Sequence, residues 1–257
     1  MRLTRIVLIG LSLVLLLALM NFWPTFFWET SDMHRIEGET TTVFYQQEEA
    51  AARQVFQTAE ARAPDIIQLL DTDNTLPIEI YIYDRQTDMQ TKKYGRIGPL
   101  LGLDWYIGDN VKDRVLLTSP ADTSSAHESD TIVNAVLHEL VHAYNHRINP
   151  KMSYWLDNGL AGYLSDQVPG EDLLGRIPIP TLEETKVSGP LAPLRFADMG
   201  GYEYSYTYIE FLDHHYDWSM VVELAKTGDF VWCFGVDEAQ VYQEWVRYLN
   251  ERPSQAD

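Results

Sequence analysis

Two histidines four residues apart with a glutamate between them, His138-Glu139-Leu140-Val141-His142, are the best-spaced chemical groups in this chain of 257 residues. On a helix, positions i and i+4 share a face, so both imidazoles can converge on one metal ion while Glu139 stands beside it to take a proton from bound water. The surrounding sequence predicts that helix. Ser129 or Asp130 caps it, and Ile132, Val133, Val136, Leu137, Leu140, Val141 and Tyr144 form an apolar stripe running to about Arg147, before Pro150. An idle trio of polar groups on the buried side of so apolar a helix would be costly, which favours a liganding role over a chance meeting of surface side chains.

The other histidines read differently. His146 keeps the four-residue spacing but lies about 12 Å along the axis from His138, too far to share an ion with ligand bonds near 2 Å, and it reads as a cation at the helix C-terminus. His214 and His215, near a predicted helix end, and His127, in a loop, read as solvated side chains.

Downstream, Trp155-Leu156-Asp157-Asn158-Gly159-Leu160-Ala161-Gly162-Tyr163 is similar to the second-helix motif of gluzincin zinc peptidases of the MA clan, W-L-x-E-G-x-A-x-Y, and follows the histidine pair at a suitable distance. Tyr202-Glu203-Tyr204-Ser205, leading into Tyr208-Ile209-Glu210-Phe211-Leu212, resembles the helix that in those families carries an oxyanion-stabilising tyrosine. Phe234 through Leu249 resembles the closing helix of peptidase-MA-like domains. The resemblance spans most of residues 40–251. It implies Zn²⁺ held by His138 and His142, Glu139 as general base, Tyr202 as oxyanion donor, and a peptide or protein substrate held by main-chain pairing along an edge strand, for which Arg114 to Ser119 is the candidate.

One departure from the pattern bears on the metal. The position before the motif's glycine, a zinc-ligating glutamate in the family, is Asn158 here, and a neutral amide oxygen is a poorer zinc ligand than a carboxylate. Asp157 is the alternative ligand, one residue and about 100° of helix away. The second acidic position of the motif is Gly162. Two functions therefore compete: a zinc-dependent peptidase, and a catalytically impaired pseudopeptidase that keeps the fold to bind peptides or proteins.

The elements that must position these residues follow from periodicity and breakers. Strands are expected at Thr42–Tyr45, at Pro77–Tyr83 with Ile78, Ile80 and Ile82 on one face, and at Arg114–Ser119, with a loop or hairpin over Gly95–Gly108. Helices are expected at Glu48–Ala63, stopping before Pro64, and at Tyr154–Val168, Gly201–Tyr216, Ser219–Lys226 and Asp237–Asn250. Pro178, Pro180, Pro190 and Pro193 mark a long loop between Val168 and Gly201. Strands first and helices later give an α+β fold: a mixed or antiparallel sheet lobe beside a helical lobe carrying the histidines.

Residues 1–28 stand apart. Arg2 and Arg5 precede an apolar run from Ile6 to Trp28, long enough for a membrane-spanning helix, with a Trp/Phe cluster at its far end. It reads as a membrane anchor or uncleaved signal, since Ala18-Leu19-Met20 is a poor cleavage site. The basic flank predicts a cytoplasmic N-terminus and an extracytoplasmic remainder, a single-pass protein of the cell membrane. Residues 29–41 are the expected linker, 42–251 the domain and 252–257 a tail. A net charge of −19 opposes binding to nucleic acid, and the single cysteine, Cys233, excludes an intrachain disulfide and reads as a small buried hydrophobe.

Overall fold

The computed structural model describes residues 2–73, 76–170, 174–189 and 191–252. It is α+β: ten α-helices and a five-stranded mixed sheet among the described residues. Contacts divide the chain into two compact units, residues 1–61 with 76–136, and residues 62–75 with 137–257.

The first unit begins with helix α1 (Arg2–Phe22), continued by a 3₁₀ turn over Trp23–Phe26. Arg5–Phe26 is long and apolar enough to cross a membrane and is not buried in the protein. Strands β1 (His34–Glu37), β2 (Thr41–Tyr45), β3 (Ile78–Tyr83), β4 (Gly108–Val111) and β5 (Arg114–Thr118) lie in the order β1-β2-β3-β5-β4. The central pairs β2–β3 and β3–β5 are parallel, the outer pairs β1–β2 and β4–β5 antiparallel. Parallel neighbours need crossovers, supplied by helix α2 (Glu49–Leu69) and helix α3 (Gln86–Tyr94). Both sheet faces are covered. Ile78, Ile80 and Ile82 are buried on one, while Tyr81, Tyr83, Phe44 and Leu116 join Met89 and Tyr106 in a cluster on the other.

Several sequence expectations need correction here. The stretch read as a linker contains β1, and its turn into β2 is fixed by Glu60: one carboxylate oxygen accepts from the backbone N–H and the hydroxyl of both Thr40 and Thr41 at 2.6–3.0 Å. Helix α2 does not stop before Pro64. It runs on to Leu69 because Ala63, Ile66 and Leu70 are fully buried, so packing outweighs the hydrogen bond that proline removes. The strand read as an edge, β5, is interior and paired on both sides; the edges are β1 and β4. Its main-chain groups are therefore committed to the sheet and not available for strand addition. Helix α3 has almost no apolar stripe to announce it. The Gln86 and Gln90 side chains hold it instead, donating to backbone carbonyls of Leu103, Asp104 and Tyr106.

The second unit is helical. It takes in the last turns of α2, residues 137–148 of helix α4 (Ser129–Ile148), and helices α5 (Tyr154–Leu164), α6 (Ala192–Asp198), α7 (Gly201–His215), α8 (Trp218–Thr227), α9 (Phe230–Phe234) and α10 (Glu238–Glu251). Side-chain caps start several of them: Ser153 accepts from Leu156 N–H, Asp217 from Ser219, Asp229 from Trp232 and Asp237 from Gln240. An aromatic core of Trp155, Phe196, Tyr208 and Trp245 packs edge to face, and the Trp245 indole donates to Thr207. Of the four prolines read as one loop, Pro193 lies in the first turn of α6, where its missing N–H costs nothing. Pro190 lies outside the described residues, as do tail residues 253–257. Cys233 is buried and unpaired.

Candidate metal centre

Helices α4, α5 and α7 bring the candidate residues together in the second unit. On α4, His138, Glu139 and His142 are all buried although polar. The ring nitrogens His138 Nε2 and His142 Nε2 face each other at 3.1 Å. Two imidazoles bound to one zinc at 2.0–2.1 Å with a tetrahedral angle would hold their nitrogens about 3.4 Å apart, so this pair is within a few tenths of an ångström of that spacing. Burial and the adjacent His142 imidazole push His138 down to about 3, leaving it neutral at physiological pH, the form that ligates metals.

Helix α5 supplies the two residues between which the sequence left the third ligand open, and they point to different duties. Asn158 is buried and lines a cleft of about 300 Å³ together with His138, Gly162 and Tyr202. Its amide nitrogen donates to the Tyr154 carbonyl at 2.9 Å, so the oxygen is the end left for a ligand. Asp157 stands outside the pair: its Oδ1 is 2.9 Å from His142 Nδ1, the nitrogen on the far side of the ring from His138. The same carboxylate oxygen accepts from Asn145 at 2.8 Å. A carboxylate there favours the tautomer with its proton on Nδ1 and its lone pair on Nε2, and it raises the basicity of the ligating nitrogen. Asp157 therefore neighbours His142 on the side of the ring away from His138. Among the described residues no three His, Cys, Asp or Glu side chains gather in a geometry that could hold a metal ion.

Close packing sets these helices against each other. A β-carbon at Gly159 would stand 2.6 Å from the Ser205 carbonyl oxygen and 2.9 Å from Ile209 Cγ1, so only glycine lets α5 lie this close to α7. Helix α7 opens at Gly200, whose φ of 67° is left-handed, and places Tyr202 in its first turn. The Tyr202 ring lies 6.4 Å, centroid to centroid, from that of His138 and is braced edge-on by Phe196 at 4.9 Å.

The sequence reading missed Gln167. The helix expected over Tyr154–Val168 ends at Leu164, and the Gln167 N–H bonds back to the Gly162 carbonyl at 3.0 Å. That turn brings Gln167 into the lining of the cleft, alongside His138. A glutamine three residues past a helix end carries no sequence signal for a place in the cleft. His146 and His215 lie in the last turns of α4 and α7 respectively. His127 is in the loop before α4, and His214 is exposed on α7.

Comparison with protein-family models, with curated proteins and with solved structures returned no match.

Proposed function

We propose that this is a membrane-anchored, extracytoplasmic zinc peptidase of gluzincin type. The observation that carries the reading is the 3.1 Å convergence of two buried imidazoles next to a buried glutamate. The residues that would hold zinc are His138 and His142 through Nε2, with the Asn158 amide oxygen as a neutral third ligand. When bound, zinc would supply a Lewis acid that acidifies a water and polarises a peptide carbonyl. Glu139, next to His138 on the same helix, would take the proton from that water and return it to the leaving amine. Asp157 keeps His142 in its ligating tautomer. Tyr202 lines the cleft and would donate its hydroxyl to the oxyanion.

The apolar helix α1 is the anchor, and Arg2 and Arg5 ahead of the apolar run favour a cytoplasmic N-terminus. Replacing Glu139 by Gln should lower peptide hydrolysis by about 10²–10⁴-fold while leaving zinc content unchanged. Full activity in that variant would remove Glu139 as the base. A second reading, a pseudopeptidase that binds peptides without cleaving them, is favoured by one observation. Position 158 is an asparagine where the resembling motif has a glutamate, and among the described residues no three His, Cys, Asp or Glu side chains could hold a metal ion.

A further inference from the structure

Helix α1 is built into the first unit at its C-terminal end. Arg96 donates its backbone N–H to Asn21 O at 3.1 Å and its guanidinium Nε to Met20 O at 3.2 Å, and the Ile97 N–H bonds Asn21 Oδ1 at 3.1 Å. These bonds satisfy carbonyls that a helix end otherwise leaves open. Gly95 permits the approach, because a β-carbon there would meet the Asn21 carbonyl oxygen at 2.6 Å. Just beyond the helix, Tyr83 donates its hydroxyl to Trp28 O at 2.8 Å, and Arg114 stacks on the Trp28 ring at 4.9 Å.

This attachment fixes a depth. From Arg5 to Asn21 the helix rises about 24 Å at 1.5 Å per residue, against a hydrocarbon core about 30 Å thick. With Arg5 at the inner boundary, the segment bonded to Met20 and Asn21 is level with the outer part of the bilayer. That segment, Gly95–Leu103, presents Ile97, Leu100 and Leu101 to solvent, Leu100 with 83% of its surface exposed. The charge pattern agrees: in a chain of net charge −19, residues 89–103 contain Lys92, Lys93 and Arg96 and no acidic residue.

We propose that the loop Ile97–Leu101 is a second membrane contact, inserting its apolar side chains into the outer interface of the same bilayer that α1 spans. The occupant is lipid, because the loop continues the apolar surface of α1 at Trp23, Phe26 and Phe27, all exposed at that helix end. The contact holds the first unit against the membrane instead of leaving it on a swinging tether. It rests on the reading of α1 as a spanning helix.

The test uses the full chain in liposomes, with the buried Cys233 replaced by alanine and one fluorophore attached at a time through Leu13→Cys, Leu100→Cys or Leu76→Cys. Leu76 is exposed just ahead of β3, roughly 23 Å along the strand direction from Tyr83, and serves as the aqueous reference. The Leu100 label should be quenched by lipids carrying quenchers near the glycerol level and be at least about threefold less accessible to iodide than the Leu76 label, as for side chains seated 5–10 Å into the interface. A Leu100 label as open to iodide as Leu76, with the Leu13 label quenched by lipid, overturns the loop contact and leaves the anchor standing. A Leu13 label unaffected by lipid quenchers overturns both.

Discussion

Two glycines one turn apart on α5 should respond in opposite directions to the same substitution. At Gly159 an added methyl would sit 2.6 Å from the Ser205 carbonyl oxygen and 2.9 Å from Ile209 Cγ1. Ordinary contact begins near 3.4 Å, so α5 and α7 would have to separate by roughly 0.8 Å, and the atom in the way is backbone that cannot rotate aside. Overpacking of this kind costs about 1–3 kcal/mol, offset by about 1 kcal/mol from the better helix propensity of alanine. Gly159→Ala should therefore destabilise by up to about 2 kcal/mol. At Gly162 the nearest atoms are Tyr206 Cδ2 at 3.7 Å and Cβ at 3.9 Å, so the methyl fits and Gly162→Ala should stabilise by up to about 1 kcal/mol. Thermal unfolding of the two variants in the same detergent, followed by far-ultraviolet circular dichroism, should place their midpoints on the order of 5–10 °C apart. Equal midpoints, or a more stable Gly159→Ala, would refute the argument that close helix approach is what requires glycine in this motif.

On the proposed reading, in which the carboxylate orients His142, Asp157→Asn should leave the fold intact but weaken zinc binding by about 10–100-fold, measured by competition with a chelating dye. An unchanged affinity would remove that role. Glu60 connects stability to pH. Burial opposes its charge, but the hydrogen bonds from Thr41 and Thr40 outweigh burial and hold its carboxyl below the ordinary value of 4.5. Its contribution is therefore complete above that value and is lost as pH falls through the lower, folded-state value. Glu60→Gln should be less stable than wild type at pH 7, with the gap closing below about pH 4 in denaturant titrations. A gap that widens on acidification would contradict the assignment.

Much of the site was legible because its signals are local. The four-residue spacing of His138 and His142 and the apolar stripe of α4 need only helical geometry to be read, and the histidines do converge in the described structure. What depended on tertiary packing was not legible. Pro64 looks like a stop until the burial of Ala63 and Ile66 is known. The polar stretch before Thr41 looks like a linker until Glu60, some twenty residues on, is seen to gather its backbone. Strand β5 looked like an edge because nothing in Gly108–Val111 announces a strand: glycine, aspartate and asparagine are poor strand formers, and β4 exists by pairing with β5. Asp157 and Asn158 are adjacent in sequence, and only the direction each takes from α5 assigns one to the outer side of His142 and the other to the cleft.

Zinc content per chain, measured on the full-length protein purified without chelator or affinity-tag histidines, beside a His138→Ala control, tests the central claim most directly. The account predicts close to one zinc per wild-type chain and loss of that zinc in the control. Wild-type protein that takes up no zinc even from excess metal would contradict it, and would leave the cleft at His138 and Asn158 as a peptide-binding site without hydrolytic chemistry.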